Sequence, residues 1–213
     1  APHGTGAIKA GLNYAMSLYP SVQAHAEGFA DNMFLDPQTH TYVEESGGAN
    51  FLFVDKEGTL VVPKSATDSI LPSITRRSLV QVAEEMLGMR VVERQVAFSE
   101  VESGAFVECG MCGTAAVISP VGKVVNGDEE IVFASGMEEV GPVMRKLRET
   151  LTGIQDGEIE GPLFVTISRR SGASASSCAA DGPRATMSAA CDTNRPPLSS
   201  GSGFCIMEGS LAS

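Results

Sequence analysis

Four short stretches of this 213-residue chain hold residue types that could do chemistry. In the first, Lys9 stands among Gly6, Ala7, Ile8, Ala10, Gly11 and Leu12, with Tyr14 five residues on. A lysine among apolar neighbours is expected to be buried, and burial favours the neutral amine because the charged form loses its hydration. A neutral amine is a nucleophile suited to forming an imine with a carbonyl. The ordinary alternative is a lysine at a helix start whose stem lies on apolar surface while its head stays in water. In the second stretch, Glu44 and Glu45 precede Ser46-Gly47-Gly48-Ala49-Asn50. Glycine lets backbone approach a ligand closely, and a carboxylate there could pair with a cationic ring nitrogen; a solvated loop is the alternative. The third, Ser73-Ile74-Thr75-Arg76, precedes a helical pattern. A helix start presents unpaired N–H groups that suit an anion such as phosphate, or it is an ordinary cap. In the fourth, Gly113-Thr114-Ala115-Ala116 could face a ligand with an amide and a hydroxyl. Cys109 and Cys112 just before it form a C-x-x-C, which suggests a thiol switch or two incidental buried cysteines.

The elements that must position these groups follow from periodicity. Leu12, Ala15, Met16, Tyr19, Val22 and Ala26 predict a helix from Gly11 to about Glu27, with a break or kink at Pro20. Strands are expected over 30–35 and 41–44, joined by a turn at Asp36-Pro37. Two more, 51–55 and 59–62, form a hairpin around Lys56-Glu57-Gly58. Leu79, Val82, Ala83, Met86 and Leu87 mark a second helix that Gly88 can end. A strand is expected over 91–97, a short helix over 100–108, and a buried strand over 114–118 closed by Pro120. A hairpin around Asn126-Gly127-Asp128 and a third amphipathic helix through Val140, Met144, Leu147 and Leu151 complete the pattern, with Glu138 and Glu139 at that helix's positive end.

Composition narrows the function. Hydrophobic residues make up 43 %, enough for a core, and a net charge of −11 argues against nucleic acid as a partner. No apolar run reaches the roughly 18 residues of a membrane helix, so the expected location is the cytoplasm. Five cysteines, an odd number, argue against a closed disulfide framework, and His3, His25 and His40 show no zinc spacing. The last 43 residues hold 10 Ser, 8 Ala and 5 Gly without apolar periodicity, so residues 166–213 are expected to be a disordered or non-native tail.

The four stretches, in this order, resemble the branched-chain amino acid aminotransferases of the fold-type IV pyridoxal-phosphate group. The blocks are Lys9-Ala10-Gly11-Leu12-Asn13-Tyr14, Glu45-Ser46-Gly47-Gly48-Ala49-Asn50, Leu71-Pro72-Ser73-Ile74-Thr75-Arg76 and Gly113-Thr114-Ala115-Ala116. The segment from Gly141-Pro142 to Gly157 also resembles the last helix of this family. The resemblance covers about residues 4 to 160. It implies an α+β fold, the larger barrel-like domain of the fold-type IV enzymes (like the D-amino acid aminotransferases), over residues 1–165. It implies pyridoxal 5'-phosphate as cofactor, branched-chain amino acids and 2-oxoglutarate as substrates, and a homodimer in the full-length form. Lys9 would hold the cofactor as an imine and carry the proton shift. Tyr14 would donate to the ring oxygen, and Glu45 would pair with the ring nitrogen. Ile74, Thr75 and Thr114 would hold the phosphate, and Ala115 would lie beside the substrate carboxylate.

Ser73 stands where the family commonly has glycine, and Leu52 where an aromatic is usual. The family's smaller N-terminal domain has no counterpart here, so the chain reads as a fragment, inactive or weakly active by itself. A D-amino acid aminotransferase or an aminodeoxychorismate lyase of the same fold is the alternative, as is a truncated product with no enzymatic role.

Overall fold

The computed structural model describes residues 2–162 and 203–208. Helix α1 spans Gly11–Ala26; strands β1 (Asp31–Leu35), β2 (Val43–Ser46), β3 (Asn50–Asp55) and β4 (Leu60–Pro63) follow. Helix α2 (Ile74–Gln81) runs on into one π-helical stretch, Val82–Met86, before β5 (Val91–Arg94) and the short α3 (Phe98–Glu102). Then come β6 (Phe106–Gly113), β7 (Val117–Asn126), β8 (Glu129–Val132), α4 (Pro142–Asp156) and β9 (Gly203–Glu208).

Among the described residues the nine strands join one sheet in the order β2-β1-β9-β7-β6-β3-β4-β5, with β8 on β7. Strand β2 also pairs β3, with Glu45 opposite Asn50, so the path curls back on itself as a barrel-like sheet. That is the α+β architecture expected from the four blocks. Because successive side chains in a strand point to opposite faces, β3 feeds two cores. Phe51 and Phe53 join Met33, Phe106 and Met111 on one face. Leu52 and Val54 join Leu79, Ile118, Leu147 and Leu151 on the other, beneath α2 and α4.

Several expectations change. Residues 106–108, expected as the end of a helix over 100–108, instead open strand β6. α3 stops at Glu102, Gly104 takes a left-handed φ of 68°, and β6 then runs between β3 and β7. A central strand covered on both faces shows no alternation, which hides it from periodicity. Of the strand expected over 114–118, only Val117 and Ile118 are strand, at the start of β7; Thr114–Ala116 form the turn between β6 and β7, whose register pairs Gly113 with Val117. Pro120 does not close that segment but lies inside β7, opposite Gly110. Pro20 does not break α1; the carbonyl deprived of its amide belongs to Met16, an exposed residue that water can reach. In the tail, residues 203–208 form β9 between β1 and β7 rather than lacking regular structure. The rest of the expected tail lies outside the described residues.

Two buried carboxylates organise the frame. Asp36 accepts the N–H groups of Gln38, Thr39, Thr41 and Tyr42 and the Thr39 hydroxyl. Burial alone would raise its pKa, but these donors outweigh it and hold the carboxyl well below the usual range. Glu108, on β6, accepts the first N–H groups of α4, a carboxylate at this helix start beyond the Glu138 and Glu139 that precede it in sequence. Its oxygens accept the N–H groups of Val143 and Met144 at 3.1 and 2.9 Å. A Cβ on Gly141 would overlap this carboxylate, so the approach requires glycine. Glu108→Ala strips two charge-assisted bonds from the helix start, and a loss of about 3 kcal/mol of stability is expected. A urea melt reads it, and a loss under about 1 kcal/mol would remove the cap from the account.

Candidate active site

Strand β2, its hairpin turn, the 65–71 loop and the start of α2 meet around Glu45. The hairpin is tight: the Ala49 N–H donates to Ser46 Oγ at 3.0 Å, and the Ser46 N–H donates to the Ala49 carbonyl at 2.8 Å. Gly47 packs against Asp31, whose carboxylate accepts the Gly47 N–H at 3.2 Å. Across the hairpin, Asn50 Nδ2 donates to Glu45 Oε2 at 3.2 Å, and the Leu71 N–H donates to the same oxygen at 3.2 Å. Burial pushes the Glu45 carboxyl up to about 7, and the neighbouring Glu44 charge adds to this. The Leu71 N–H, the Arg76 charge and Asn50 pull the other way without cancelling it.

Leu71 leads straight into α2. Ser73 is the cap residue, its hydroxyl accepting the Arg76 N–H at 3.2 Å. Neither the Ile74 nor the Thr75 N–H is hydrogen-bonded among the described residues. They are the orphan donors every helix start leaves, and Leu71, whose N–H reaches Glu45, stands three residues before Ile74. Arg76 turns away, donating to the Pro63 carbonyl at 3.3 Å and lying 3.7 Å from Glu93.

The β6–β7 turn lies beside the same hairpin, because Asn50 pairs with Cys112. A Cβ on Gly113 would stand 3.7 Å from the Gly48 carbonyl and 3.8 Å from Ala49. Thr114 and Ala115, next in the chain, are exposed.

Lys9 departs from the expectation. It is exposed rather than packed among apolar neighbours, and Ile8 and Leu12 beside it are exposed as well. Its backbone is nevertheless well held. Asn13 Nδ2 donates to the Thr5 and Ile8 carbonyls at 2.7 and 2.8 Å, and the Ala7 N–H donates to the Asp68 carbonyl at 3.1 Å. Thus the Lys9 segment sits on the loop that ends at Leu71. Tyr14 is 37 % exposed, and its phenol makes no hydrogen bond among the described residues.

Cys109 and Cys112 do not form a redox pair. Three residues apart on one strand, they point to opposite faces, Cys109 into the core with Phe53 and Cys112 into the core with Leu147. Both are buried free thiols. Burial raises Cys109 and pushes Cys112 up to about 12, so neither offers a thiolate. Sequence reasoning left Asn50 and Leu71 without a role; their contacts depend on which strands pair, and only the Glu45-to-Asn50 spacing across Gly47-Gly48 hints at the first. Among the described residues no cluster of His, Cys, Asp and Glu could hold a metal, and no helix is long and apolar enough to cross a membrane.

The amino-transferase class IV family model matches residues 6–124. The branched-chain-amino-acid aminotransferase of Haemophilus influenzae is 50 % identical over 167 residues, covering 76 % of this chain and 47 % of that protein. The crystal structure of the Escherichia coli branched-chain amino acid aminotransferase superposes with a TM-score of 0.62 at 34 % identity, over 73 % of this chain and 48 % of that one. The Thermobaculum terrenum enzyme in its PLP form gives 0.62 at 32 % identity, over 79 % and 48 %. The chain spans about half the length of the curated relatives it matches. With a family match over more than half of its residues, carried on the same strands, turn and helix start that surround Glu45, the chain belongs to the class IV aminotransferases.

Proposed function

We propose that this chain carries the cofactor-holding part of a branched-chain amino acid aminotransferase, which moves the amino group of leucine, isoleucine or valine to 2-oxoglutarate on pyridoxal 5'-phosphate. The observation that carries the reading is Glu45, a carboxylate held up to about 7 beside a helix start with two unbonded amides. Those groups fit the cofactor: one site calls for a positive charge, the other for an anion. When bound, the cofactor supplies an aldehyde that condenses with amines and a ring that accepts electrons from a substrate's Cα bonds.

Each residue then has a defined task. Glu45 keeps a proton on the ring nitrogen, held in place by Asn50 and the Leu71 N–H. The Ile74 and Thr75 amides and the Thr75 hydroxyl bind the phosphate at the positive end of α2, and Thr114 adds a donor from the β6–β7 turn. Lys9 holds the cofactor through its Nζ and moves a proton as base and acid. Tyr14 donates its phenol proton to the ring oxygen. Ala115, small and exposed, leaves room for the substrate carboxylate.

Leu12, Met16, Tyr19 and Val22 are exposed on α1, which holds no Asp, Glu, Lys or Arg. That face supports a reading in which further protein packs over α1 and encloses Lys9, as in a homodimer. The intact protein, assayed with a panel of amino acids and 2-oxoglutarate, is expected to favour leucine, isoleucine and valine by about tenfold or more over alanine, the scale that two or more extra buried methylenes supply. Preference for D-amino acids, or lyase activity without transfer, would overturn the substrate assignment.

A further inference from the structure

Glu44, the residue before Glu45, has no task of its own in the scheme above beyond helping to raise Glu45, yet it is only 7 % exposed and carries its own hydrogen-bond network. Its Oε1 accepts the Ser65 hydroxyl at 2.9 Å and the Ser69 hydroxyl in a short bond. With both serine protons on Glu44, Ser65 Oγ and Ser69 Oγ stand 2.6 Å apart, and the Thr67 hydroxyl lies within donating distance of both. The Thr67 N–H donates to Ser65 Oγ at 3.0 Å. The network therefore shapes one tight turn of chain from Ser65 to Ser69.

The outer edge of that turn holds the Lys9 segment. The Thr67 carbonyl accepts the His3 N–H at 2.9 Å, and the Asp68 carbonyl accepts the Ala7 N–H at 3.1 Å. A side chain on Gly6 would collide with the Ser69 backbone, so the two stretches lie in direct contact. Two residues beyond Ser69, the Leu71 N–H reaches Glu45. Adjacent carboxylates on β2 thus grip the two ends of one loop. Glu44 holds the part that carries the Lys9 backbone, and Glu45 holds the part that enters α2.

We infer that Glu44 is a positioning residue, which sets the Lys9 segment at a fixed place relative to Glu45 and the α2 start by holding the 65–69 turn from beneath. It acts through Ser65 and Ser69, whose hydroxyls its Oε1 accepts. The role needs an acceptor rather than a charge, because both partners are hydroxyl donors. The inference rests on the reading of Lys9 as the cofactor lysine, and its test separates the two.

The test takes Glu44→Ala, Glu44→Gln and Ser69→Ala in the intact protein. Hydrogen–deuterium exchange is followed without added cofactor. Each variant is then loaded with pyridoxal phosphate and reduced with borohydride, and the peptide containing Lys9 is weighed by mass spectrometry. In Glu44→Ala, exchange over residues 2–10 should rise about tenfold, the scale of losing bonds to a buried carboxylate. Exchange over residues 50–55 should stay unchanged. The rate of covalent labelling at Lys9 should fall by a similar factor, while Glu44→Gln, which keeps an acceptor, restores both. Should Glu44→Ala fail to fold, Ser69→Ala decides, with a rise of about threefold expected for one lost donor. Unchanged exchange over 2–10, an equal rise over 50–55, or a Gln variant as impaired as the Ala variant would overturn the inference. If the unaltered protein takes no label at Lys9, the functional reading falls, while the exchange measurements still decide whether Glu44 holds the segment.

Discussion

Replacing Lys9 with alanine is expected to lower kcat of the intact protein by about 10⁴-fold or more, the scale of removing a nucleophile that also transfers the proton. Cofactor affinity should change far less, because Glu45, the Ile74 and Thr75 amides and Thr114 are untouched. The absorbance of a lysine-bound cofactor near the visible edge should vanish, while bound phosphate remains detectable. Turnover within tenfold of the unaltered protein, with that band still present, would show that another amine does this work. The prediction is sharper because Lys9 is exposed in this chain. An amine gains reactivity when its surroundings exclude water. The uncharged, exposed face of α1 beside it offers the surface on which such a cover would pack.

The second large effect is expected at Glu45. Glu45→Ala should cost about 10²-fold or more in kcat, comparable to losing one preorganised electrostatic partner in an active site. The carboxylate also leaves a signature without any substrate. Its folded pKa is raised from 4.5 to about 7. Below about pH 4 the carboxyl is protonated in both folded and unfolded chains, and it contributes no slope. Between there and pH 7 the unfolded chain releases its proton while the folded chain keeps it, so stability falls as pH rises. Above pH 7 both forms are ionised and the slope ends. The full loss should be about 2 kcal/mol, allowing for partial solvent screening. Glu45→Gln should flatten this slope, which urea melts from pH 4 to 8 would read. A cationic ring against the carboxylate reverses the cause of the shift, so saturating pyridoxal phosphate should also remove the slope. A slope that survives Glu45→Gln would place the titration on another group.

Both effects start from residues that sequence alone could single out, since a buried-type lysine, a Glu before Gly-Gly and a Ser-Ile-Thr helix start are local patterns. The helix start was legible because capping is local: Ser73 does cap α2 with its own hydroxyl. The β3–β4 and β7–β8 hairpins were legible for the same reason, their turns lying in contiguous glycine-containing segments. β6 was not, because Phe106 to Gly113 is covered on both faces and shows no period to read. Likewise, nothing local distinguishes the Thr114–Ala116 turn from the start of a buried strand; the pairing of Gly113 with Val117 decides it.

The amino-acid sequence by itself determined the ordered blocks, the helix start and the identity of the groups that could hold a cofactor. Tertiary structure alone decided their environment. It exposed Lys9, pushed Glu45 up by burying it against the 65–71 loop, and sent Cys109 and Cys112 to opposite faces of one strand. The physical reason is common to all three. Which groups can react follows from residue type and spacing. Their burial, charge and partners depend on strands and loops brought together from 20 to 35 residues away, such as Leu71 on Glu45 and Val143 on Glu108.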